Sequence, residues 1–150
     1  MNLAPILQNH ILWTAMVGWV LAQVLKVPID SLREHRWNWA LFFAAGGMPS
    51  SHSALVTSTA AAVGLYIGFD SPVFAVAVAL AMVVVYDATG VRRQAGKQAE
   101  KINILVEELL KGHPINEEHL REAIGHTPLE AMGGVLLGLL AAVGMWFLLH

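Results

Sequence analysis

The run Gly46-Gly47-Met48-Pro49-Ser50-Ser51-His52-Ser53 opens one long apolar stretch, and Gly125-His126-Thr127-Pro128-Leu129-Glu130 opens another. A helix starting at Pro49-Ser50 points unpaired backbone N–H groups and the positive end of its dipole outward, a ready cradle for a phosphate-like anion. Ser50, Ser51 and Ser53 add hydroxyl donors. Lys26 and Arg33 precede this run, and Asp87-Ala88-Thr89-Gly90-Val91-Arg92-Arg93 closes a further apolar stretch. Arginine grips phosphate oxygens with a planar fork, whereas lysine acts as a point charge. His52 and His126 have the chemistry to divide the work of nucleophile and general acid. Glu130, one turn past His126, is spaced to hold one ring nitrogen so that the other faces a substrate.

The same residues have plainer uses. Thr127-x-x-Glu130 is also a capping box, with Pro128 at the first helical position. Pro49-Ser50 can be read as a helix start alone. Lys26, Arg33 and Arg36 can anchor a helix end to anionic headgroups. Asp87, at the end of an apolar run, calls for a cationic partner, and Arg92 and Arg93 are the nearest in sequence. His10, His35, His113, His119 and His150 have no such company and read as solvent-facing.

The elements that position these residues are set by composition. Of 150 residues, 56% are apolar and 13% charged, and mean hydropathy is +0.57. A soluble domain carries about a quarter charged residues, so the surplus apolar surface here must face something other than water. The absence of cysteine removes disulfides, thiolate metal sites and cysteine nucleophiles. The first residues lack the basic start and cleavage site of a signal peptide, so the first apolar segment is expected to stay in place. A bilayer core of roughly 30 Å takes about 20 apolar residues of helix. Four segments qualify or nearly do: 6–25, 51–68, 71–86 and 129–149. Segment 37–47 is too short to cross, and Trp37 and Trp39 mark it as a re-entrant or interfacial piece. The one long polar stretch, 88–127, carries Ile102, Leu105, Val106, Leu109 and Leu110 on one helical stripe and a second short helix at 117–124. It reads as an amphipathic hairpin. The expectation is a single all-α domain over 1–150: a polytopic membrane helix bundle with about four spans, the interfacial segment and a cytoplasmic hairpin. Gly134-x-x-x-Gly138-x-x-x-Ala142 is a stripe for close helix packing, within the chain or between subunits.

With four crossings, Lys26, Arg33 and Arg36 fall in one loop, and Arg92, Arg93, Lys97, Lys101, Lys111 and Arg121 in another on the same side. These are all nine basic residues of the chain. The positive-inside rule then places the charged loops in the cytoplasm and both termini outside the cell membrane. All the candidate clusters come to that one face.

These pieces resemble the type 2 phosphatidic acid phosphatases, lipid phosphatases that share an active site with vanadium haloperoxidases. Lys26 and Arg33 have the spacing of the first family motif, with Glu34 where proline stands. Pro49-Ser50-Ser51-His52 is similar to the second, with Ser51 for glycine. In the third, Arg92 follows Val91 instead of serine, and Gln98 occupies the expected histidine position. His126-x-x-x-Glu130 supplies that histidine after an insertion, with glutamate for aspartate. GGMPSSHSA, DATGVRR and GHTPLE look most like the small, divergent branch of acid phosphatase/haloperoxidase-related membrane proteins.

The resemblance implies hydrolysis of a lipid or prenyl phosphate through a phosphohistidine on His126, with Glu130 orienting it and His52 as acid and then base. Lys26, Arg33, Ser50, Ser51, Arg92 and Arg93 would hold the phosphate oxygens, and the scheme needs no metal or other cofactor. A lipid-phosphate binder or carrier without chemistry is the alternative, supported by the displaced histidine and the change to glutamate. Partners are then a lipid phosphate and membrane lipids, not nucleic acid. Four spans bury little surface, which suits a homodimer.

Overall fold

The computed structural model describes residues 4–35, 37–43, 46–109 and 127–149. They form α1 (Ala4–Leu7), α2 (His10–Glu34), a 3-10 helix (Trp39–Phe43), α3 (Ser51–Ile67), α4 (Pro72–Thr89), α5 (Val91–Leu109) and α6 (Pro128–Leu149). No strand occurs among the described residues. Side-chain hydrogen bonds start several of these helices. Asn9 Oδ1 accepts from Leu12 N–H at 3.0 Å, Ser50 Oγ from Ser53 N–H at 3.3 Å, and Ser71 Oγ from Phe74 N–H at 3.2 Å. Each satisfies an N–H that the helix itself cannot.

Helix α2 runs well past the expected end at residue 25. Pro28 lies inside it and forfeits only the bond to the carbonyl four residues back, a loss that tightly packed membrane helices tolerate. Lys26 is therefore not in a loop as the sequence suggested. It sits inside the helix with 1% of its surface exposed.

Three stretches are long and apolar enough to cross a membrane: His10–Leu32, Pro72–Val106 and Pro128–Leu149. The expected second span forms α3, whose 17 residues reach only about 25 Å at 1.5 Å per residue, short of the roughly 30 Å hydrocarbon core. Helix α3 is instead the centre of the bundle, packed by α2, α4 and α6. Eight of its residues are buried, all of them Ser, Ala, Val or Gly. Small residues on its neighbours let backbones approach. A Cβ on Gly138 of α6 would lie 2.7 Å from the Ala54 carbonyl oxygen, and one on Gly18 of α2 would lie 2.5 Å from Ser58 Oγ. The Gly134, Gly138 and Ala142 stripe is thus an internal packing seam, buried along its length.

Helix directions sort the polar groups. A tight turn at Gly68, where φ is +122°, sends α4 back antiparallel to α3. At the start of α2, the His10 ring stacks on Tyr66 near the end of α3, centroids 5.5 Å apart. The Tyr66 hydroxyl donates to the Met145 carbonyl near the end of α6 at 3.4 Å. So α3 and α6 run parallel, α2 and α4 run opposite to them, and the other end of the bundle gathers Lys26, Ser50, Asp87 and Thr127. The 3-10 helix lies beside α2, with Trp37 and Trp39 stacked at 5.9 Å and exposed. Helix α5 supplies the first arm of the expected hairpin and exposes Ile102, Leu105 and Val106. The second arm, including the short helix at 117–124, lies outside the described residues.

Candidate functional site

Two helix N-termini meet at the gathered end. The Ser50 N–H donates to the Glu130 carbonyl at 2.9 Å, tying the first turn of α3 to the first turn of α6. Gly134 makes this possible, because a Cβ there would collide with the Ser50 carbonyl. With the helices parallel, the positive ends of both dipoles point to the same side.

Ser50 is fully buried. Its Oγ accepts from Ser53 N–H and, at 3.1 Å, from the Ser53 hydroxyl, so it caps the helix and fixes its start. Ser51 is the hydroxyl that meets the cation: Lys26 Nζ donates to Ser51 Oγ at 3.4 Å. Glu130 forms the capping box with Thr127. The Thr127 N–H donates to Glu130 Oε2 at 3.0 Å, and the Glu130 N–H donates to Thr127 Oγ1 at 3.3 Å. Its carboxylate also lies close enough to act on the charge of Lys26.

Lys26, Asp30 and Glu130 share a polar cavity of about 120 Å³ walled by Leu41, Gly47 and Met48. At about 30 Å³ per water, it has room for about four waters or one small oxyanion. Gly47, with φ +92°, carries the chain over the lysine stem; even a Cβ there would reach 3.9 Å from Lys26 Cδ. A buried ammonium in an apolar bundle is costly unless paired and hydrogen-bonded, and here a hydroxyl and two carboxylates surround it.

The structure therefore brings together Lys26, Ser50, Ser51 and Glu130. His52 follows in the first turn of α3 and is half-buried. Arg33 lies in the last turn of α2, and Arg92 and Arg93 lie in the first turn of α5; their side chains lie outside the described residues, and so does all of His126. Two residues were missed in the sequence. Asp30 lines the cavity one turn after Lys26, a spacing that acts only if the helix continues through Pro28. Gln23, one turn before Lys26, is buried with its Oε1 unpartnered among the described residues. Among those residues, no group of three or more His, Asp or Glu is placed to hold a metal ion.

The sequence profile of the divergent PAP2 family matches residues 7–141 of this chain. An uncharacterized membrane protein of Bacillus subtilis (strain 168), YuiD, is 40% identical over 146 residues, covering 90% of this chain and 92% of its own length. No solved structure matches the chain.

Proposed function

The chain belongs to the divergent PAP2 family and is a membrane protein, and from that premise we propose that it hydrolyses a lipid or prenyl phosphate at the cytoplasmic membrane face. The observation that carries this reading is Lys26, buried at 1% exposure and donating to Ser51 where the N-termini of α3 and α6 converge. A buried ammonium beside two converging helix N-termini suits the charge that develops on a phosphoryl group in its transition state.

In this scheme a ring nitrogen of His126 attacks phosphorus, the bond to the lipid oxygen breaks, and His52 gives that oxygen its proton. Water then attacks the phosphohistidine, His52 takes a proton from it, and the P–N bond breaks to release phosphate. Lys26, Ser51, Arg33, Arg92 and Arg93 hold the non-bridging oxygens, and Ser50 serves by fixing the N-terminus that faces them. Phosphate release from a panel of lipid phosphates by the purified chain tests the activity. An acid-labile, base-stable phosphate trapped from labelled substrate and mapped to His126 tests the mechanism. Normal turnover by His126→Ala, or phosphate trapped on His52, overturns the assignment.

A binder or carrier without chemistry is the second reading, favoured by the engagement of Glu130 in its capping box. It predicts saturable lipid-phosphate binding with no phosphate release.

A further inference from the structure

The chain leaves α2 by turning back on it. His35, just past the end of α2, takes the left-handed conformation with φ +53°, and the 3-10 helix then packs against α2. Two local bonds close the turn. Asn38 Oδ1 accepts from the Ala40 N–H at 3.2 Å, and the Asn38 carbonyl accepts from the Leu41 N–H at 3.3 Å. Leu41 walls the Lys26 cavity opposite Lys26, Ile29 and Asp30 of α2. Trp37 and Trp39 are 64% and 71% exposed, with their rings stacked at 5.9 Å. No residue from Trp37 to Phe43 is charged, whereas Arg33, Glu34, His35 and Arg36 stand directly before them.

The shared cavity gives the 3-10 helix a depth. Lys26 and Asp30 precede Leu32, the end of the first stretch long enough to cross, by about 9 Å and 3 Å at 1.5 Å per residue. That stretch has 23 residues, about 34 Å of helix against a hydrocarbon core of roughly 30 Å. An element that shares a cavity with Lys26 and Asp30 is therefore level with the boundary between hydrocarbon and headgroups, not out in water. Leu41 and Gly47 both wall that cavity, so the segment keeps this level at both ends and does not head for the bilayer centre.

We propose that Trp37 and Trp39 bind the lipid leaflet at this boundary and thereby hold the Lys26 cavity at the depth of the leaflet's phosphates. Indole suits that layer, because its ring meets acyl chains while its N–H meets headgroup oxygens. The break from four charged or titratable residues to an uncharged aromatic run marks the same passage from water into lipid. The anchoring does not rest on the lipid-phosphate reading. Its consequence does: a lipid held in the leaflet by its chains presents its phosphate to Lys26 without leaving the bilayer.

The test is the depth of a nitroxide on Ala40→Cys, an exposed position in a chain with no cysteine of its own. The purified full chain is placed in vesicles of equal parts palmitoyl-oleoyl phosphatidylcholine and phosphatidylglycerol. Collisions with oxygen and with a water-soluble nickel chelate then report depth. Leu80→Cys, exposed along α4, marks the hydrocarbon, and Asp70→Cys in the α3–α4 turn marks water. The Ala40 label is expected between the two, at the level of the lipid phosphates. Trp37→Ala/Trp39→Ala should shift it to the nickel accessibility of the Asp70 label, and Trp37→Tyr/Trp39→Tyr should restore its depth, since tyrosine also belongs to the interfacial belt. An Ala40 label as open to nickel as Asp70 in the protein with both tryptophans overturns the proposal, and so does one as deep as Leu80. That measurement stands even if the alanine variant fails to fold. Dipolar broadening between Ala40 labels that disappears on dilution with unlabelled chain puts a second copy on the tryptophans and overturns it too. Phosphate release is measured separately. A protein with its Ala40 label at phosphate depth that releases no phosphate keeps this inference and loses the phosphatase reading.

Discussion

Ser50 and Glu130 are eighty positions apart in sequence, yet the backbone N–H of one donates to the carbonyl of the other at 2.9 Å. That bond sets the first turns of α3 and α6 level with each other. It brings two separate helix starts together beside the Lys26 ammonium, which donates to Ser51. The registration in turn depends on the absence of a side chain at Gly134 and Gly138 of α6.

The glycines of α6 should therefore divide sharply. Gly134→Ala or Gly138→Ala places a methyl against the α3 backbone, and overpacking of this kind costs about 1–3 kcal/mol. Gly144 has open space around its Cβ position, so Gly144→Ala should be neutral or stabilising by up to about 1 kcal/mol, as helix propensity dictates. Thermal unfolding in one detergent checks both. Equal midpoints for Gly138→Ala and Gly144→Ala would remove the close α3–α6 contact.

Glu130 carries two separable roles, a cap and a charge. Glutamine also serves in a capping box, so Glu130→Gln should leave the unfolding midpoint close to wild type. Thr127→Ala should cost about 1 kcal/mol through the lost cap. If Glu130 also orients His126, Glu130→Gln should reduce phosphate release on the order of 10²–10⁴-fold. Full activity in Glu130→Gln would leave it as a cap alone.

Much of this was legible in the sequence, for identifiable reasons. The helix starts at Ser51 and Pro128 carry their capping residues in plain view, and the Gly134-Gly138-Ala142 spacing announces a packing seam. The end of α2 was not legible. Pro28 normally marks a boundary, and only the neighbours that accommodate it carry the helix on to Glu34 and turn Lys26 from a loop residue into a buried one. Asp30 was hidden for the same reason. The role of α3 was masked by composition: seventeen uncharged, largely apolar residues read as a span, although the helix is shorter than the three stretches long enough to cross and is packed among its neighbours. How far α4 and α6 diverge over α3 is set by tertiary packing, which no local pattern encodes.

Helix directions make a topological prediction. Asp70 lies in the turn between α3 and α4, and Glu100 lies beyond the other end of α4 in α5. Single cysteines at these positions, introduced into the cysteine-free chain, should react with a membrane-impermeant reagent from opposite sides of the cell membrane. Asp70→Cys should be the one labelled in intact cells, because the basic residues gather toward the other end. Labelling of Glu100→Cys alone in intact cells would invert the orientation and move the site to the outer face. Labelling of both would mean that the Pro72–Val106 stretch does not cross.

Lys26 offers the sharpest separation of function from stability. Its ammonium lies buried beside Ser51, Asp30 and Glu130, and a buried charge is a poor contributor to stability unless its partners repay desolvation in full. Lys26→Met keeps the length and the packing of the stem against Gly47 while removing the charge. If the lysine is there to hold phosphate, this variant should lose phosphate release by about 10²–10³-fold, the cost of removing one transition-state donor. Its unfolding midpoint should change little unless the carboxylates are left unbalanced. Lys26→Met/Glu130→Gln tests that condition, since it removes one carboxylate together with the ammonium, and it should regain any midpoint lost by the single variant without regaining activity. If instead the lysine mainly holds the bundle together, Lys26→Met would unfold early and the double variant would recover both stability and turnover. That outcome would leave the convergence of α3 and α6 as architecture and remove Lys26 from the phosphate site.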